Sequence, residues 1–147
     1  MNLSQRTAQP QDEDFLYALH KAAVQQVVIA TWGVWDEAWQ RERFRQNYQP
    51  EWLHVIQLDG EDIGVVRVQE RTEELFLANL EILPAYQRRG IGTLIIRRVI
   101  EEGRQRGKPV ALQVLKMNMA ARALYQSLGF GVTGENDTHY IMAYEMR

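Results

Sequence analysis

Ten residues near the middle of the chain, Leu83–Pro84–Ala85–Tyr86–Gln87–Arg88–Arg89–Gly90–Ile91–Gly92, carry the strongest chemical signal. An apolar, strand-like run (Leu75–Leu83) stops at a proline, and a short polar turn leads to two glycines. A helical pattern then begins, with Leu94, Ile95, Val99 and Ile100 apolar and Arg97, Arg98, Glu101 and Glu102 charged. A helix start leaves its first N–H groups without intrahelical acceptors, and the macrodipole makes that end partly positive. Glycines at 90 and 92 remove side chains where an anion's oxygens would approach the backbone. Arg88 and Arg89 add charge at the rim. Such a loop is suited to hold a phosphate or pyrophosphate. Two nucleotide motifs do not fit it. A P-loop needs four residues between its glycines and a Lys before Ser or Thr, and here Thr93 follows Gly92 with no Lys nearby. A G-x-G-x-x-G fingerprint needs glycine where Ile95 stands.

A second segment, Asn118–Met119–Ala120–Ala121–Arg122–Ala123–Leu124–Tyr125–Gln126–Ser127–Leu128–Gly129–Phe130, starts 26 residues after Gly92. It places an Asn at a helix start, an A-x-x-x-Y segment, and then G-F. Between the two lie one helix (Thr93–Arg106), a Gly107–Lys108–Pro109 break and one short strand (Val110–Leu115). The pattern Q-x-x-G-x-G at Gln87–Gly92, followed at this separation by the second segment, resembles the GNAT acetyltransferase superfamily. The resemblance covers residues 62–135, and the N-terminal third agrees only in its coarse pattern.

The resemblance implies a GNAT-like acyl-coenzyme-A acyltransferase with acetyl-coenzyme A as cofactor. Backbone amides from Arg88 and Arg89 through Gly90, Ile91, Gly92 and Thr93 would bind the pyrophosphate, with Gln87 opening the loop. Ile82 and Leu83 would pair with the pantetheine arm, in a cleft between the fourth and fifth strands, and hold charge developing on the carbonyl oxygen. Asn118 would hydrogen-bond that arm, although Asn is also a favoured N-cap. Tyr125 matches the tyrosine that protonates the departing thiolate. A phenol suits that task because its ordinary pKa, about 10, is close to that of an alkyl thiol. The alternative for Tyr125 is a core aromatic, since Ala121, Leu124 and Leu128 share its helical face.

The acceptor, an amine on a small molecule or a peptide, must lose a proton. Some peptide-amine acetyltransferases of the superfamily carry a Glu on the fifth strand where this chain has Gln113, which cannot act as a base. Glu81 on the fourth strand is the best replacement, with Glu74, Glu70 and water as alternatives. Trp32, Trp35 and Trp39 recur at helical spacing beside Asp36 and Glu37. They form either a core stripe or, with Glu81 and the His139–Tyr140 strand entry, an acidic and aromatic pocket for a cationic amine. Transfer of another acyl group such as succinyl, or a non-catalytic acyl-coenzyme-A sensor, are the rival readings.

Composition excludes several chemistries. A net charge of −2 and a pI near 5.9 leave no electrostatic footprint for nucleic acid. With no cysteine there is no disulfide, thiolate zinc site or acyl-Cys route. Ser4 and Ser127 lack a G-x-S-x-G setting, and His20, His54 and His139 lack metal-ligand spacing, so no metal is expected. No apolar run approaches a membrane span and no leader opens the chain, so a cytoplasmic protein is expected, with a homodimer left open.

The elements that must position these residues follow from patterning. Residues 2–7 suit a strand. Asp12 can cap a helix with apolar spacing to about Ile29, which Thr31–Trp32–Gly33 breaks. Asp36 can cap a second helix to about Tyr48, ended by Pro50. Trp52–Leu58 and Asp62–Glu70 flank an Asp59–Gly60 turn and read as a hairpin. Leu75–Leu83, Val110–Leu115, Phe130–Gly134 and His139–Met146 complete the strands. One α/β domain over residues 1–147 results, with a mixed sheet of about seven strands and helices on both faces.

Overall fold

The computed structural model describes residues 2–145. Its elements are β1 (Leu3–Thr7), α1 (Glu13–Trp32), α2 (Glu37–Gln46), β2 (His54–Leu58), β3 (Glu61–Glu70), β4 (Leu75–Ile82), α3 (Ile91–Arg106), β5 (Val110–Leu115), α4 (Met119–Ser127), β6 (Gly131–Glu135) and β7 (His139–Tyr144). Short 3-10 turns begin at Pro10, Pro50 and Pro84. Proline suits a first helical position because its φ is already set and its missing N–H would have had no partner there. The order of helices and strands is the one expected. The Met146 end of the last strand lies outside the described residues.

The seven strands form one mixed sheet in the order β1-β2-β3-β4-β5-β7-β6. β1/β2, β2/β3, β5/β7 and β6/β7 are antiparallel, whereas β4 and β5 are parallel. The β4/β5 ladder registers three pairs, Leu75↔Val110, Phe76↔Ala111 and Leu77↔Leu112, and β4 continues past the last of them to Ile82.

Most boundaries shift by one to three residues from expectation, two of them at tryptophans. α1 runs on through Thr31 and Trp32 because Thr31 Oγ1 satisfies its hydroxyl on Val27 O (2.8 Å) inside the helix. The stop is Gly33 itself, at φ 88°, whose N–H reaches back to Ile29 O at 2.7 Å. Trp52 lies in a 3-10 turn, and β2 begins only at His54.

The chain divides into two compact units. One contains the residues up to Arg67 with Asn79–Gln87, and the other contains Val68–Ala78 with the residues from Arg88 onward. In the first, Ala8, Leu16, Leu19, Val55 and Val65 form a buried cluster with Phe15, Phe44 and Leu53 packed around it. Ile63 through Val66 are all buried, so β3 is covered on both faces. In the second, α3 buries Ile91, Ile95, Ile96, Val99 and Ile100 along one face. Each such side chain contributes about 1.5–3 kcal/mol relative to exposure. β5 alternates buried Val110, Leu112 and Val114 with outward residues, among them exposed Gln113.

Candidate active site

The loop after β4 is held from its own side. Gln87 Nε2 donates to Ile82 O at 2.9 Å, fastening the turn to the strand end. The chain then takes two left-handed conformations, at Arg88 (φ 64°) and Gly90 (φ 80°), before α3 begins at Ile91. Leu94 N–H closes the first helical bond on Gly90 O at 3.0 Å. The N–H groups of Ile91, Gly92 and Thr93 therefore have no intrahelical acceptor. The exposed side chains of Arg88 and Arg89 flank them.

Gly90 is explained by its positive φ, but Gly92 is not. It sits in ordinary helical backbone, and a Cβ there would meet nothing nearer than Leu124 Cδ2 at 3.9 Å. A glycine costs about 1 kcal/mol relative to alanine in a helix interior and less in the first turn, where Gly92 stands. Neither packing nor backbone conformation accounts for that cost. Over Gly90 too, an added Cβ would find no atom within 4 Å. Open space above donor amides is what a bulky anion requires.

Helix α4 carries the second set. Asn118 Oδ1 accepts from Ala121 N–H at 3.2 Å, the N-cap role, which leaves the side-chain NH2 as a donor. The Tyr125 ring lies against Phe130, with centroids 5.7 Å apart, and Phe130 lies against Tyr144 at the same distance. Burial pushes the Tyr125 hydroxyl up to about 12, so it keeps its proton throughout the neutral range. Of the two residues expected to offer backbone at the strand end, Leu83 gives its N–H to Ile63 O at 2.8 Å, within the sheet.

The first unit contains a cavity of about 290 Å³. Its floor is polar: Arg67 follows Val65 on one row of β3, and Asn79 and Glu81 continue the row of Leu75 and Leu77 on β4. Leu16 and His20 of α1, with Arg43 and Phe44 of α2, also line it. Glu81 Oε2 and His20 Nδ1 are 2.7 Å apart, with the carboxylate side chain only 11% exposed. A carboxylate only accepts, so Nδ1 donates and Nε2 is the remaining ring nitrogen. Burial opposes the charged ring, but the hydrogen bond and the negative charge of Glu81 outweigh it and raise the His20 pKa. Behind this pair, a Cβ on Gly64 would stand 2.5 Å from Glu81 O and 3.0 Å from Ile82 Cδ1. Only glycine lets β3 approach β4 so closely there.

The other expected acceptor residues each have neighbours of their own. Trp35 lies 6.3 Å from His20, ring to ring, and its Nε1 donates to Glu37 at 2.7 Å. Glu37 also accepts from Tyr17 and pairs with Lys21 at 2.9 Å, so its charge is already balanced. Trp32 and Trp39, both about half exposed, border a groove with Val28 and Asp36 that shares Gln40 and Arg43 with the cavity beside Glu81. In the second unit, Lys116 and Arg122 stand over the Tyr140 ring at 5.2 and 5.0 Å, and His139 Nδ1 meets Thr138 Oγ1 at 2.8 Å. The surroundings of Tyr140 are therefore cationic, and the cavity beside Glu81 includes two arginines where an acidic pocket was expected.

Sequence reasoning passed over His20, Arg43, Arg67 and Asn79. A signal was present for three of them. His20 falls one turn after Leu16 on the stripe of α1 that faces the core, while Arg67 and Asn79 interrupt apolar i, i+2 rows.

Comparison with known proteins bears on the family and the fold. The ribosomal protein bS18-alanine N-acetyltransferase of Escherichia coli (strain K12) is 33% identical over 94 residues, covering 63% of this chain and 64% of that protein. The 5-NmdU N-acetyltransferase of Pseudomonas phage PaMx11 is 33% identical over 91 residues, 60% of this chain and 64% of the phage protein. The chain thus spans just under two thirds of the length of these relatives. Its fold matches the crystal structure of PaiA N-acetyltransferase from Thermoplasma acidophilum in complex with coenzyme A, with a TM-score of 0.79 at 18% identity over 99% of this chain and 100% of that one. The sequence model of the Acetyltransferase (GNAT) family matches residues 16–130, a span that includes the glycine loop, the Asn118–Tyr125 helix and the His20–Glu81 pair, and the chain belongs to that family.

Proposed function

We propose that the chain, acting as one domain, transfers the acetyl group of acetyl-coenzyme A directly to the nitrogen of an amine acceptor. The observation that carries this reading is Gly92, a glycine in the first turn of α3, where a Cβ would meet no atom nearer than 3.9 Å and the first three amides have no intrahelical acceptor. Those amides, with the rim arginines, suit the pyrophosphate, and the Asn118 NH2 suits the amide groups of the pantetheine arm. When bound, acetyl-coenzyme A supplies an acetyl group activated as a thioester.

The residues of the chain handle the protons. Glu81 takes an N–H proton from the acceptor, and His20 holds that carboxylate in place. The freed lone pair forms the new N–C bond while the C–S bond breaks and its electron pair leaves on sulfur. Tyr125 donates its phenolic proton to that sulfur; the acylated nitrogen sheds its second proton to solvent, Glu81 releases the one it took, and Tyr125 takes one back from solvent. The backbone N–H of Ile82 would meet charge developing on the carbonyl oxygen. The products are the N-acetyl compound and free coenzyme A thiol. With no cysteine and no activated serine, nothing in the chain offers an acyl-enzyme route. Relatives named for acceptors as different as a ribosomal protein alanine and 5-NmdU support an amine acceptor without specifying its kind.

Release of coenzyme A thiol tests the proposal, and the cysteine-free chain contributes no background. The wild-type protein should release thiol with an amine acceptor present. Tyr125→Phe should bind acetyl-coenzyme A normally and turn over roughly 10²- to 10⁴-fold more slowly. A protein that binds acetyl-coenzyme A but acetylates no amine in a broad panel would instead be a sensor.

A further inference from the structure

We infer that the acceptor is a small amine that carries its own carboxylate, with the amine at Glu81 and the carboxylate held by Arg43 and Arg67. This rests on the acetyl-transfer reading above and narrows its substrate. The charge inventory of the cavity points this way. Glu81 is the sole carboxylate among its lining residues, against two arginines and a histidine that Glu81 helps to charge. A polycation entering here meets net positive charge, whereas an amine with an attached carboxylate matches both signs.

Arg43 and Arg67 line the cavity and, like Arg88, Arg97, Arg98 and Arg122, stand outside the ion pairs that engage six other arginines. Arg6, Arg41, Arg45, Arg71, Arg104 and Arg106 each pair with an acidic side chain. Among the described residues Arg43 and Arg67 do not. Each is instead supported by a tryptophan face, Arg43 over Trp39 at 5.2 Å and Arg67 over Trp52 at 5.0 Å. Such stacking orients a planar guanidinium and leaves its N–H groups to another partner. Among the described residues Arg67 Nε is buried with no hydrogen-bond partner, a deficit that a bound anion would relieve by drawing the side chain into a new arrangement. Arg67 and Glu81 rise from neighbouring strands of the same floor, so opposite charges are presented to one ligand within a cavity near the small end of the ligand-site range. Leu16, Phe44, Leu53 and Val65 add apolar surface to a lining that also carries neutral polar side chains. An α-amino acid with an apolar side chain meets each of these conditions.

The test uses L-leucine, L-leucinamide, 3-methylbutylamine, spermidine and the dipeptide Ala-Leu as acceptors in the thiol-release assay. Leucinamide has the less basic amine and so more free nucleophile at neutral pH, which makes it a stringent control. Leucine should exceed leucinamide, 3-methylbutylamine and spermidine at least tenfold in kcat/KM. Arg67→Gln should abolish that preference by raising the KM for leucine while leaving the KM for acetyl-coenzyme A unchanged, with Arg43→Gln as the second variant should the first not fold. Faster turnover of leucinamide, spermidine or Ala-Leu, or a preference that survives both variants, overturns the inference while acetyl transfer stands. If no amine releases thiol, the acetyl-transfer reading has failed. Calorimetry of leucine against wild type and Arg67→Gln then decides the carboxylate site by itself, with equal affinity for both proteins overturning it.

Discussion

The loop at Gln87–Thr93 and the cavity beside Glu81 offer binding groups of opposite kinds. The loop presents backbone amides, made accessible by what is missing: two side chains at 90 and 92. The cavity presents side chains, contributed by α1, α2, β3 and β4 and joined across 61 residues by the His20–Glu81 hydrogen bond. A backbone site changes little when neighbouring residues are exchanged, provided nothing fills its space. A side-chain site can be rewritten one substitution at a time. A family that keeps one cofactor and varies its acceptor would place the two functions in this way.

Filling the loop should produce the largest effect. Gly90→Asp introduces a carboxylate where the pyrophosphate is proposed to bind. Like charges about 4 Å apart repel by roughly 4 kcal/mol at an effective dielectric near 20, which lowers acetyl-coenzyme A affinity about 10³-fold. Calorimetry on the folded variant checks it, and unchanged affinity would remove the loop from the site.

On the cavity side, Glu81→Gln should leave cofactor binding intact and slow turnover by about 10²-fold, because the amide can still accept from His20 but cannot take a proton. An unaffected rate would assign the proton to water or another carboxylate.

Two glycines sharpen the contrast through stability. Gly64→Ala drives a methyl against Glu81 O and should cost about 1–3 kcal/mol in chemical denaturation, with turnover falling as β4 shifts. Gly92→Ala meets no such obstacle and should stabilise the protein by up to about 1 kcal/mol while weakening acetyl-coenzyme A. If both variants lose stability alike, Gly92 is a packing residue and the open space above it has no functional meaning.

The smallest effect is the pH dependence of the His20–Glu81 pair. The pKa of His20 is raised in the folded protein, so the pair's contribution is fully present below the ordinary histidine value of 6.5 and fades as pH rises through the raised one. Stability measured upward from pH 6.5 should fall more in wild type than in Glu81→Gln, whose side chain has no charge to pair. Parallel curves would show that His20 titrates without regard to Glu81.

The loop was legible in the sequence because its parts are contiguous: proline ends a strand, glycine takes a left-handed turn, and an amphipathic pattern starts a helix within ten residues. The helix start at Asn118 and the helix that carries Tyr125 were legible for the same reason. The Trp32–Trp39 segment was less so. Its helical spacing implies one stripe, yet Gly33 ends α1 and α2 begins at Glu37, so Trp32 and Trp39 belong to different helices and Trp35 to neither. Glu37 looked available because nothing near it in sequence showed that Lys21, Tyr17 and Trp35 would occupy it.

By itself the sequence determined the order of elements, the glycine loop and the helix that follows, because these depend on local backbone conformation and on the period of apolar residues. Periodicity states which face of an element is buried. It does not state against what. That His20 would meet Glu81, that Arg67 and Arg43 would enter the same cavity without carboxylate partners, and that Gly64 would admit β4 to contact were decided only by tertiary packing. These contacts join elements through a close-packed interior, where the fit of many side chains at once, and not the preference of any one segment, selects the neighbours.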